Sequence, residues 1–266
     1  MVNFFVNLSP IYQALIAGIF TWSITLLGAS VVLFFKKVNN DIMDAMLGFS
    51  AGVMIAASFF SLIDPAIKMA NNLNMIGFLV VSIGFLAGTI IILLGDKLFN
   101  LLEKKRNGYI SDSKKRCMML ITSITLHNIP EGLVLGVSFG SLVYNITGSS
   151  LVGALSLALA IGIQNFPEGS AVSLPLRREG YGRFKAFFIG QLSAVVEPIS
   201  AFIGAILVMK IKTLLPILLS MAAGAMFFVA IGDLIPESQK NKRKNLMTVV
   251  TLIGFTIMMV LDIALG

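Results

Sequence analysis

Read for apolar against polar positions, the chain resolves into eight long hydrophobic runs with short polar breaks between them. The runs lie near 11–35, 42–63, 75–95, 117–140, 150–175, 184–208, 212–235 and 246–265. Each is about 20 residues or longer, enough for a helix to cross a hydrocarbon core of roughly 30 Å. Helix is the expected form because a spanning segment has no water to satisfy its peptide groups. The pattern predicts an all-α integral membrane protein with eight transmembrane helices, a single transmembrane domain over 1–266.

The polar breaks alternate in charge. Lys36 and Lys37 fall in the first, seven basic residues from Lys97 to Arg116 in the third, four from Arg177 to Lys185 around the fifth, and four from Lys240 to Lys244 in the seventh. The other breaks hold only Lys68, Lys210 and Lys212. Lys and Arg collect in cytoplasmic loops, so both termini are expected outside (N-out/C-out). A miscounted span in mid-chain would scramble the alternation, so the bias supports count and orientation together. The break at 96–116, hydrophilic and without His, Cys or Pro, reads as a flexible cytoplasmic connector.

Composition agrees. The chain is 57% apolar and 12% charged, with a mean hydropathy of +0.92, against roughly 25% charged residues in a soluble domain. The net charge of +7 follows from the loops, and its dispersal over several of them argues against a nucleic-acid stripe. The N-terminus lacks the basic region of a cleavable signal peptide, so the first helix is expected to stay. The single cysteine, Cys117, supports neither an internal disulfide nor a zinc knuckle and reads as a buried spectator thiol.

Against this background two near-copies of one phrase stand out: His127-Asn128-Ile129-Pro130-Glu131-Gly132 and Gln164-Asn165-Phe166-Pro167-Glu168-Gly169. In each, the first residue and the glutamate are four apart, so a helix stacks them on one face. Two such faces brought together offer an imidazole, an amide and two carboxylates, a donor set for a divalent cation. A carboxylate at bilayer depth costs roughly 2.5–3.5 kcal/mol on insertion scales. Glu131, Glu168 and Glu197 have no Lys or Arg nearby in their own runs, which leaves a bound cation as their partner. Pro130, Pro167 and Pro198 lack an N–H, so the carbonyls of Leu126, Ile163 and Ala194 are expected to be free, with kinks and polar cavities at that depth. Gly132 and Gly169 are expected to add slack. His127 is the only histidine; with Glu131 at i+4 it reads as a ligand suited to zinc, iron, manganese or cadmium. Met54 is one of 14 methionines and by itself is as readily packing as ligand. Asp64, Asp233 and Glu237 near helix ends are either stops on the ion pathway or solvated caps; Asp44 and Asp262 read as ordinary acids.

A second internal echo sets Ala51-Gly52-Val53-Met54 and Leu62-Ile63 against Ala223-Gly224-Ala225-Met226 and Leu234-Ile235, at a constant offset of 172. The echo joins the second and seventh helices, which run in opposite directions. It predicts an inverted repeat in a 3+2+3 arrangement, with the two motif helices as the central pair around a midplane site.

At these residues the chain resembles the ZIP (Zrt/Irt-like) family of divalent-metal transporters, and more closely its bacterial GufA-like branch. The resemblance also takes in Gly48-Phe49-Ser50-Ala51-Gly52-Val53-Met54, Val196-Glu197-Pro198-Ile199 and Leu234-Ile235-Pro236-Glu237-Ser238. It implies a transported metal held by His127, Glu131, Gln164 and Glu168 with help from Met54. It also implies a neighbouring second metal at Asn128, Asn165 and Glu197, bridged by Glu131 and Glu168. Gln164 stands where many members have a second histidine, and Asn165 where the GufA-like branch can carry a carboxylate. Both departures lower the charge or strength of the ligand set. The family further implies uptake into the cytoplasm across the cell (plasma or inner) membrane, with zinc first among substrates and cadmium, iron or manganese as others, and a homodimer in the bilayer. The metal is cargo, and no resident cofactor is expected.

No nucleotide-binding motif such as GxxxxGK[ST] occurs, so transport is expected to run on gradients. An intramembrane zinc protease would need two or three His or Cys ligands and a general base, which one histidine does not supply, so the chain does not read as an enzyme. The alternative is a proton-coupled carrier of an organic substrate that uses the buried glutamates as a relay.

Overall fold

The computed structural model describes residues 5–34, 39–106, 112–144 and 149–265; the side chains of His127 and Cys117 are outside the described set. Among the described residues the helices group into eight rods: α1 (Pro10–Phe34), α2 (Asn40–Asn72), α3 (Gly77–Arg106), α4 (Asp112–Gly140), α5 (Leu151–Arg178), α6 (Arg183–Lys210), α7 (Lys212–Ser238) and α8 (Lys244–Leu265). Among the described residues seven of these, α1 to α3 and α5 to α8, are long and apolar enough to cross a membrane by length and composition. The 29 residues of α4 make a rod about 43 Å long at 1.5 Å per residue. No strand occurs among the described residues, and the chain is an all-α, multi-pass membrane protein. Large apolar side chains such as Phe78, Ile83 and Leu86 on α3 and Leu252, Val260 and Ile263 on α8 point outward, as lipid-facing surfaces do.

The 96–116 connector differs from its expected form. Helix α3 continues to Arg106 and α4 begins at Asp112, so the segment is helical on both sides of 107–111. Hydropathy marks only the part of a helix that lipid covers, whereas Leu, Glu, Lys and Arg propagate it well into water.

Four helix pairs pack most closely: α1 with α5, α4 with α6, α2 with α8 and α3 with α7. Exchanging the first three helices for the last three, and α4 for α5, turns α1–α5 into α6–α4 and α2–α8 into α7–α3. The sequence echo at offset 172 therefore has a counterpart in packing. Gly52 on α2 faces the Thr251 carbonyl of α8, and its counterpart Gly224 on α7 faces the Phe85 carbonyl of α3; a Cβ at either would stand 1.9 Å from that oxygen. The two helices also widen at equivalent points into π-turns, Ser58–Ile63 and Ala230–Leu234. A π-turn holds one more residue than an α-turn and re-aims the helix beyond it.

The motif helices run unbroken through Pro130 and Pro167. Gly132 and Gly169 are contact points rather than slack. A Cβ on Gly132 would lie 2.4 Å from the Glu197 carbonyl of α6, and one on Gly169 would lie 2.1 Å from the Thr25 carbonyl of α1. Their small size draws each motif against a neighbouring backbone. The interruption falls instead in α6, where helix Arg183–Leu192 gives way to a turn before Val196–Lys210. The Ala194 carbonyl, expected to be free, accepts the Glu197 N–H at 3.0 Å: the chain tightens to an i→i+3 bond ahead of Pro198, as at other helix ends.

Gly224→Ala should lower the melting temperature in detergent, since overpacking costs about 1–3 kcal/mol. Gly232→Ala, where an added Cβ would meet nothing nearer than a Phe228 ring atom at 4.0 Å, should not lower it; equal melting of the two would refute the close-approach argument.

Candidate metal centre

The two motifs meet in the interior as the i, i+4 spacing requires. Asn128 and Glu131 project from α4, Gln164, Asn165 and Glu168 from α5, and Glu197 from the start of the second segment of α6; none is more than 1% exposed. Met54, also fully buried, lies on α2, which packs against α5. His127 is on the same α4 segment as Glu131, with its side chain outside the described set.

Amides alternate with carboxylates in this cluster. Gln164 Nε2 donates to Glu131 Oε1. Asn165 Nδ2 donates to Glu197 Oε2 at 2.9 Å and to the Thr21 carbonyl at 3.3 Å. Asn128 Nδ2 donates to the Ser193 carbonyl at 3.0 Å, within the α6 turn, so the irregular backbone of α6 fixes which end of that amide faces inward. Among the described residues, which do not include the His127 side chain, no group of three His, Cys, Asp or Glu is placed to hold an ion.

What the amides leave over is acceptors. Asn128 Oδ1, Glu131 Oε2, Gln164 Oε1, Asn165 Oδ1 and Glu197 Oε1 are all buried without a hydrogen-bond donor. An orphaned buried acceptor costs about 1–3 kcal/mol, and more when charged. Five such acceptors on the two motifs and on Glu197, all oxygen, suit a cation that supplies positive charge to several at once.

The pathway candidates have different surroundings. Asp64 follows the α2 π-turn, about 15 Å along the helix from Met54 by rise. It pairs with Lys68 at 2.6 Å with both side chains half exposed, in a cavity of about 380 Å³ that it shares with Ser61 and Asp262. Asp262 is more than an ordinary surface acid, since it accepts from Ser61 at 2.6 Å. Glu237 pairs with Lys240, Asp233 sits within the α7 π-turn, and the side chains of Asp41 and Asp44 are bridged by Asn241.

One residue at the centre escaped the sequence reading. Ser50 on α2 donates to Glu168 Oε1 at 3.3 Å, and its signal in retrospect is its place four residues before Met54. Hydroxyls in membrane helices usually satisfy themselves on their own backbone, as Thr21 does on the Gly18 carbonyl and Thr25 on that of Thr21, which hides the exception.

An all-α bundle spanning a membrane, with carboxylates and amides from two repeated motifs at its centre, belongs to the class of membrane transport proteins. Comparison with known proteins narrows this. The model of the ZIP zinc transporter family matches residues 103–262. Zinc transporter ZIP11 of Xenopus tropicalis is 37% identical over 97% of this chain and 98% of its own. Zinc transporter ZIPB of Bordetella bronchiseptica is 37% identical, covering 95% of this chain and 81% of its own. Zinc transporter GufA of Myxococcus xanthus is 32% identical, covering 95% and 98%. The chain belongs to the ZIP family, a family of transporters.

Asn165→Asp would set a second carboxylate against Glu197 in place of a donor. The metal-free variant should melt several degrees lower than the native protein, in keeping with a lost charge-assisted bond of about 1.5–3 kcal/mol. Added zinc should raise its melting temperature by more than it raises the native one. Unchanged melting without metal would separate Asn165 from Glu197.

Proposed function

We propose that this protein carries divalent metal ions, zinc foremost, into the cytoplasm through a site formed by His127, Glu131, Gln164 and Glu168 with Met54 from α2. The observation that carries the reading is the set of buried oxygens without donors contributed by both motifs. Metal entering the site exchanges the Gln164–Glu131 hydrogen bond for coordination and frees both Glu131 oxygens to face the ion.

Charge selects the valence. Glu131 and Glu168 carry two negative charges, which a divalent ion neutralises, while a monovalent ion leaves the buried site anionic and a trivalent one leaves it cationic. A net charge in low dielectric is strongly unfavourable. The same reasoning bears on a second ion at Asn128, Asn165 and Glu197. Two divalent ions would set four positive charges against three carboxylates, and Asn165 adds none. The site therefore favours one ion at a time, with Asn165 and Glu197 holding each other when the second position is empty. Imidazole with carboxylates suits zinc, cadmium, iron and manganese, and replacing a second imidazole by the Gln164 amide broadens the choice among them.

The seventeen basic residues in alternate loops support the N-out/C-out orientation in the cell membrane, and the packing of α1–α5 and α2–α8 against their counterparts supports an inverted 3+2+3 repeat. A homodimer, formed through helices outside the metal-carrying core, follows the family reading.

Proteoliposomes offered zinc, cadmium, iron and manganese in competition test this. The native protein should show metal-selective uptake that Glu168→Ala abolishes, while Gln164→His should narrow selectivity toward zinc. Equal flux through native and Glu168→Ala protein would move the pathway elsewhere. Uptake of an organic substrate coupled to protons and indifferent to metal would replace the reading altogether.

A further inference from the structure

Hydroxyl groups in these helices bond mostly to their own backbone. Ser58 bonds to the Met54 carbonyl at 2.7 Å, Thr125 to that of Ile121 at 2.8 Å, Ser23 to that of Ile19 and Thr256 to that of Leu252. Ser50 does otherwise. Fully buried on α2, it reaches to α5, where its Oγ lies 3.3 Å from the Gln164 carbonyl and 3.3 Å from Glu168 Oε1. One hydroxyl thus touches both ends of the second motif's helical turn. It stands four residues before Met54, so the same face of α2 presents a hydroxyl and a thioether one turn apart. The bond also joins helices that belong to different close pairs, α2–α8 and α1–α5.

We propose that Ser50 is a further residue of the transport site, which positions the Glu168 carboxylate and thereby sets the preference between hard and soft divalent metals. The proposal rests on the reading of the motif pair as the transport site. A donor on Oε1 restricts the carboxylate's rotation and its basicity toward the ion, as outer partners of metal ligands do. Ser50 and Met54 stand one turn apart on the same face of α2, a hard oxygen beside a soft sulfur. Removing the hard one, or exchanging it for sulfur, should shift the balance toward soft ions.

The test uses full-length protein purified in detergent, with zinc, cadmium and manganese titrated separately into native protein, Ser50→Ala, Ser50→Cys and Glu168→Ala, and with thermal melting as the check on folding. Ser50→Ala should weaken zinc binding about tenfold, the lower end of what an outer partner contributes. Ser50→Cys should raise the ratio of cadmium to manganese affinity about tenfold above native, a change that a purely packing role would not produce. Native affinities and an unchanged cadmium-to-manganese ratio in both Ser50 variants would overturn the proposal. If Ser50→Ala does not fold, the ratio in Ser50→Cys decides alone. Native-like binding by Glu168→Ala would instead bring down the reading of the site itself, so the two failures are separable.

Discussion

The structure depends on keeping three carboxylates in the interior of a bundle whose surroundings are apolar. Glu131, Glu168 and Glu197 are at most 1% exposed. Removed from water, they need compensation that hydrocarbon does not give. The bundle supplies part of it by threading neutral donors between the acids: Gln164 on Glu131, Asn165 on Glu197 and Ser50 on Glu168. These donors leave Glu131 Oε2 and Glu197 Oε1 without a partner, a state of partial satisfaction that the proposed function assigns to an arriving cation. Full satisfaction by protein groups would make a stable membrane protein with no affinity for an ion, and no satisfaction would make one that does not assemble.

Packing serves the same end. Most helices carry a glycine where another backbone presses in, and the motif glycines are of this kind: Gly132 lies against the Glu197 backbone and Gly169 against that of Thr25. The chain thereby brings Glu197 to α4 and the threonine pair of α1 to α5 with no large side chain in between. In lipid, where apolar contact between helices gains little over contact with acyl chains, close approach and polar bonds are what define the partners. The break in α6 also takes part, because its Ser193 carbonyl holds the Asn128 amide.

Pseudo-symmetry gives the molecule two equivalents of most parts but only one centre. The glycines at 52 and 224, the methionines at 54 and 226 and the π-turns of α2 and α7 correspond at one offset. The chemistry has diverged between the halves: α2 brings Ser50 and Met54 to the motif helices, whereas the matching segment of α7 is small and apolar around Met226. A repeat sets up the geometry, and the side chains that differ between its copies give it direction.

The long apolar runs, their all-α form and the two motifs were legible in the sequence because bilayer burial imposes a length and a polarity rule on every spanning segment, and a carboxylate that violates the rule is conspicuous. The i, i+4 spacing likewise placed Glu131 and Glu168 on faces that could meet. What sequence did not contain was which neighbour each polar atom chose. That Asn165 would donate to Glu197, that the Ala194 carbonyl would take the Glu197 N–H, that Gly132 and Gly169 would mark contacts with other backbones, and that Ser50 would turn from its own helix to Glu168 are decisions of packing between segments distant along the chain. Hydropathy and spacing report each helix against its solvent. Only the tertiary structure sets one helix against another, and hydrogen bonds over a few ångströms depend on that choice.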